Sequence, residues 1–243
     1  MEYTTDLLNA LVLLSNYVLI PSLSYGSQLA LGAVGVTLVF GILRFANFYH
    51  GEMMSFGTMC TIFITWWFQS LGFTAGFFPT AVLALPLAIL ITMLLALTAE
   101  RSVFRFYRLR KSRPVIFVIA SVGVMFMLNG IVRMFIGPDE ILFRDGQKFL
   151  IKAGAFKKMT GLSEGLALKQ TQVLTVILAV LAVLLLFWFL QRTRTGKAMR
   201  AFSDNEDLAL LSGINPEHVV MVTWVITAAL ATLAVVLYGL DKS

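Results

Sequence analysis

Five stretches without a single Asp, Glu, Lys or Arg leave this chain few ways to fold: residues 7–43, 53–99, 114–132, 171–190 and 219–240. A helix that crosses a bilayer needs about 20 apolar residues. The first two stretches are each long enough for two such helices and the other three for one, which predicts seven spans. Composition agrees, with 58% of residues hydrophobic and only 13% charged, where a soluble domain carries about 25% charged residues. The expected fold is an all-α, polytopic membrane helical bundle, and nothing divides residues 1–243 into more than one transmembrane domain. The opening MEYTTDLLNALVLL has two acids and no basic residue before its apolar run. It lacks the positive start of a secretory signal and reads as a retained first helix. Cys60, the lone cysteine, lies in an apolar segment and is expected to be a buried packing residue.

The first span, residues 7–23, is weakened by Asn9, Ser15 and Asn16, and Pro21 to Gly26 reads as a break before the second span, residues 27–45. That second span carries Gly26, Ala30, Ala33, Thr37 and Gly41 at steps of three and four, one helical face on which backbones can approach closely in lipid. The third span, residues 53–72, ends near Trp66 and Trp67, an aromatic belt. Residues 72–79 read as a turn, and the fourth span, 80–99, contains Pro86, expected to kink it. The seventh, 219–240, aligns Thr223, Thr227, Ala231 and Ala234 as another close-packing face. Both faces are candidate walls of a substrate path.

Residues 100–113, ERSVFRFYRLRKSR, hold six basic residues against one acid. Arg192, Arg194, Lys197 and Arg200 follow the sixth span. Basic loops favour the cytoplasm, so both face inward and the longer loop between them, residues 137–170 with six basic residues and four acids, faces outward. Seven simple crossings then put the amino terminus in the cytoplasm; a re-entrant early segment reverses that. The net charge of +6 belongs to these loops and does not indicate nucleic acid.

Two polar clusters interrupt the apolar sequence. Arg44, Asn47 and His50 are three residues apart, followed by Gly51 and Glu52. On a continuing helix the first three would share a side, either as an interfacial helix end or as a partly inserted functional turn. Asn129, in the fifth span, either bonds between helices or faces a path. The other cluster is the island 191–219. There Ser203 and Glu206 fit a capping box, Gly213 a stop, and Asn215-Pro216 a restart. A short capped helix over residues 204–212 would present Leu208, Ala209, Leu211 and Ser212, a surface built to be gripped.

Chemistry is sparse. The one Gly-Lys pair, Gly196-Lys197, lacks the Gly and the Ser or Thr of a phosphate-cradling loop. His50 and His218 have no metal-site spacing, and no G-x-S-x-G turn occurs. A membrane-embedded enzyme would have only His50 and Glu52 as acid and base. A secondary transporter or channel would need ionisable groups within its spans, and outside residues 44–52 they are lacking. A conduit without catalytic residues, metal or cofactor of its own is the simpler reading.

ALGAVGVTLVFGILRFANFYHGEMMSFG, then ERSVFRFYRLR with GVMFMLNGIVRMFIGP, then RTRTGKAMRAFSDNEDLALLSGINPEHVVMVTW resemble, in order, the permease subunits of bacterial branched-chain amino acid ABC importers. The resemblance implies an inner-membrane permease for branched-chain or related amino acids, with urea and short amides as alternatives carried by relatives. It implies a second permease, two ATP-hydrolysing subunits, an extracytoplasmic binding protein and surrounding lipid. It also implies that ATP is used by the partner subunits. The loop over residues 194–216 resembles a coupling helix, with Glu206, Asp207, Ala209, Gly213 and Pro216 as docking candidates. Asn47, His50, Gly51, Glu52 and Asn129 are candidates for the path or gate. Phe48-Tyr49 stands where the family has Ala between Asn and His. Further hydrophobic sequence is expected beyond residue 243, so the chain reads as partial.

Overall fold

The computed structural model describes residues 2–73, 76, 78–137, 141, 143 and 148–242. Helix α1 (Glu2–Leu14) passes through a π-helical turn, Ser15–Leu19, straight into α2 (Ile20–Leu43). The break expected at Pro21 is absent, and the first two spans are one helix. Proline removes a backbone donor and its ring crowds the carbonyl four residues back. The wide turn, in which the Ile20 amide reaches the Ser15 carbonyl, absorbs that conflict without ending the helix.

Next come α3 (Tyr49–Ser70) and α4 (Thr80–Ala99), which runs through Pro86 unbroken. Part of the turn between them, residues 74, 75 and 77, lies outside the described residues. A second π-turn, Glu100–Phe104, joins α4 to α5 (Arg105–Leu109), and α6 (Pro114–Ile136) follows. The expected polar loop contains a small folded unit: β1 (Phe149–Ile151) pairs antiparallel with β2 (Leu168–Lys169), with α7 (Ala153–Thr160) between them. Asp139, Glu140, Arg144 and Asp145 of that loop lie outside the described residues. The chain closes with α8 (Gln170–Arg192), α9 (Arg194–Asp204), α10 (Glu206–Leu211) and α11 (Pro216–Lys242). Five helical stretches among the described residues are long and apolar enough to cross a membrane: Thr5–Leu43, Thr80–Leu109, Pro114–Ile136, Gln170–Arg192 and Pro216–Lys242.

Helix α11 is the axis of the bundle, packed against α2, α3, α4 and α8, while α6 lies on the outside of α3. Its Thr223, Thr227, Ala231 and Ala234 are all buried, the close-packing face expected of them. A side chain on Gly57 of α3 would lie 2.6 Å from the Thr232 hydroxyl, so the two backbones meet at glycine distance. Lipid tails give helices no hydrophobic reason to associate, and van der Waals contact of this kind takes over. Two buried threonine hydroxyls of α11 bond within the helix, Thr223 to the Val219 carbonyl and Thr232 to that of Ala228. Cys60 is buried beside Met59, Ile64, Ala84 and Ala88, as expected.

The small-residue face of α2 is reversed. Gly26, Ala30, Ala33 and Thr37 are exposed, and Ser24, Gln28, Leu31, Gly32, Gly35, Val39 and Ile42 are buried instead. Polar groups in a membrane helix turn toward protein partners. Ser24 bonds Asp241 at 3.4 Å and Gln28 bonds Ser24 at 3.3 Å, and this polar edge, with two glycines, takes the inner side.

The two ends of the bundle are distinct. Arg44, Ser203, Arg105 and Glu217 meet at one. At the other, Asn9 and Asn16 accept backbone amides of Glu164 and Ala167. The start of α1 therefore lies at the end of the bundle opposite the island. Two expected crossings are one.

Candidate functional site

Helix α8 turns into α9 at Thr193, whose hydroxyl accepts the Gly196 amide at 2.9 Å. A Cβ on Gly196 would lie 2.2 Å from the Phe189 carbonyl oxygen, so only glycine lets α9 fold back this tightly. Met199 and Phe202 of α9 then bury against Ile42, Ala209 and Val219, while Lys197 and Arg200 stay exposed. Ser203 does not cap the next helix. It donates to the Gly41 carbonyl at 2.7 Å, and Arg44, in the left-handed region at φ 56°, donates to the Ser203 carbonyl at 3.0 Å.

Because α9 continues through Asp204, the cap shifts to Asn205, which is extended and accepts the Leu208 amide at 3.1 Å. Helix α10 is accordingly six residues long, shorter than the 204–212 expected. Gly213, at φ 80°, closes it: its amide bonds Leu210 and the Ile214 amide bonds Ala209, a paired left-handed stop. Asn215 caps α11 by accepting the Glu217 amide at 2.9 Å, with Pro216 first in the helix as expected.

The exposed surface of α10 is Glu206, Asp207, Leu208, Leu210 and Leu211, the last 85% exposed. Ala209 is buried at 3%. It packs with Ile42, Met199, Phe202 and Val219 and so anchors α10 to the bundle.

Two ties unmarked in the sequence join the start of α11 to the π-turn after α4. Arg105 holds both carboxylate oxygens of Glu217, each at 3.1 Å. Deeper, buried Glu100 accepts the Trp224 indole N–H at 2.7 Å and pairs with Arg108. Trp224 stacks on Phe104, ring centroids 5.2 Å apart. The only sequence signals were one acid heading a basic loop and one Trp inside an uncharged run.

Arg44, Asn47 and His50 do not share a side. Helix α2 ends at Leu43 and α3 starts at Tyr49, so the chain turns between them. Asn47 accepts the Tyr49 amide at 3.2 Å. His50 is buried with its ring against Gly35 of α2. Gly51 is exposed, and Glu52 accepts from Asn129 of α6 at 2.9 Å. His50 and Glu52 thus face different helices and form no acid–base pair. Of the two readings of Asn129, the structure shows the interhelical bond. Among the described residues no group of three His, Cys, Asp or Glu side chains is placed to hold a metal.

A bundle of long apolar helices around one axial helix, with a short capped helix carried at one end, is the architecture of a multi-pass membrane protein. The chain belongs to the family described as the permease component of branched-chain amino acid transport systems, which matches residues 18–242. It is 29% identical over 227 residues to the high-affinity branched-chain amino acid transport system permease protein BraD of Pseudomonas aeruginosa, covering 92% of this chain and 70% of that one. It is 32% identical over 216 residues to the permease protein LivH of Escherichia coli K12, covering 88% and 67%. No solved structure matches. The chain is a permease subunit of the branched-chain amino acid ABC transport family, a transport protein rather than an enzyme, in the inner membrane.

Proposed function

We infer that this chain forms part of the path by which an ATP-driven importer carries branched-chain amino acids inward. ATP is hydrolysed by two separate subunits, one of which docks on α10, a second permease completes the path, and an extracytoplasmic binding protein delivers substrate at the opposite end. Residues 1–243 act as one transmembrane domain, with α3, 22 residues long, crossing beside the five more apolar stretches. The observation that carries this reading is α10 itself. It is closed at both ends by Asn205 and Gly213, anchored by Ala209, and turns Glu206, Asp207, Leu208 and Leu211 outward.

Movement of the ATPases would push α10 as a rigid body, and Gly213 and Pro216 would set its angle to α11. Asn47, His50, Gly51, Glu52 and Asn129 would border the path or its gate, where α3 meets α2 and α6. Glu206→Lys or Gly213→Pro is expected to lower amino-acid uptake per ATP hydrolysed by about tenfold while membrane insertion persists. Unchanged coupled uptake in both variants would retire this assignment. Competition of labelled leucine uptake by unlabelled valine, but not by urea, is expected for the branched-chain substrate class.

A further inference from the structure

The motion that α10 receives has to reach helices with which α10 itself shares no covalent continuity. Glu217 stands in the first turn of α11, and Arg105 stands just past the π-turn that continues α4. Their bidentate pair is about one-third exposed. Two turns further along α11, Trp224 is fully buried and bonds Glu100, the first residue of the same π-turn, whose other oxygen pairs with Arg108. A π-turn is a local distortion that often marks a functional point in a helix, and here one tie lands on its first residue and the other on the residue that follows it.

We propose that the π-turn Glu100–Phe104 is the receiving end of a second transmission arm, through which displacement of α10 and α11 is passed to α4. This rests on the coupling role of α10. The buried Glu100–Trp224 bond, with the half-buried Arg108 on the other carboxylate oxygen, is the fixed part, since a buried carboxylate does not easily give up its partners. The water-exposed Arg105–Glu217 pair is the part that opens and closes during the cycle, because water and salt already screen it. Arg105, Glu217, Glu100 and Trp224 act through α4, as positioning residues.

The test uses the assembled transporter in proteoliposomes, reading uptake and ATP hydrolysis in the same preparation. Arg105→Glu and Glu217→Arg singly are expected to lower uptake per ATP by about fivefold or more, and the exchanged double variant to recover most of it. A merely structural role would change the amount of assembled protein and leave that ratio alone. Trp224→Phe, which keeps the ring and removes the indole donor, is expected to lower the ratio in the same direction. Should either single charge variant fail to assemble, Glu217→Gln is read in its place and is expected to lower the ratio too. Ratios within twofold of the unmodified protein in the assembled variants, or a double variant no better than the singles, would overturn the proposal. Loss of coupling in Glu206→Lys with normal ratios in these variants would remove the second arm and leave the α10 reading standing. Absence of ATP-dependent uptake by the unmodified assembly would remove both.

Discussion

Gly196 and Gly213 show how single positions decide the shape of the inner surface. At Gly196 there is no room for a methyl group beside the Phe189 carbonyl; at Gly213 there is room, but the backbone is left-handed. Gly196→Ala is therefore expected to displace α9 and lose co-purification with the ATPase subunits, whereas Gly213→Ala should cost only about 1 kcal/mol and keep it. The Asn129–Glu52 contact allows a different check. Asn129→Leu leaves a half-buried carboxylate without its side-chain donor and is expected to lower stability by about 1–3 kcal/mol, read as a lower Tm in detergent. Gly213, Asn215 and Pro216 were legible in the sequence because their roles are set by local backbone geometry. Ser203 was misread for the opposite reason: its hydroxyl is claimed by Gly41, a residue far away in the chain.

At the scale of elements, the caps make α10 a separate unit despite its six residues. A helix this short has no independent stability in water, so its persistence depends on Asn205, Gly213 and the inward anchor Ala209. Asn205→Ala is expected to weaken the amino-terminal turn by about 1 kcal/mol, seen as about fivefold faster hydrogen exchange of the Leu208 amide. The π-turns were not legible. A proline followed within five residues by two serines and a glycine signals a break by local rules, and the continuous α1–α2 helix shows that a widened turn can satisfy the same constraint. The buried edge of α2 was equally hidden. Periodicity finds a face, but the pairing of Ser24 with Asp241, at the far end of the chain, selects which face turns inward.

For the whole molecule, the arrangement makes a sidedness prediction. With the basic island inside, a Cys at Leu211 should react with an impermeant thiol reagent only from the cytoplasmic side and a Cys at Lys157 only from the outer side, both in a Cys60→Ala background. Labelling of Leu211→Cys from outside would invert the bundle and remove any contact between α10 and a cytoplasmic ATPase. The sequence by itself determined the membrane class, the helical fold and the presence of a short capped helix in the polar island. Each of these follows from runs of residue types or from bonds only a few residues long. The tertiary structure alone decided that α11 is the axis, that α2 turns its Ser24–Gln28 edge inward, and that the start of α1 lies opposite the island. It alone joined Glu100 to Trp224 and Arg105 to Glu217, because bonds spanning more than a hundred residues leave no periodic trace along the chain.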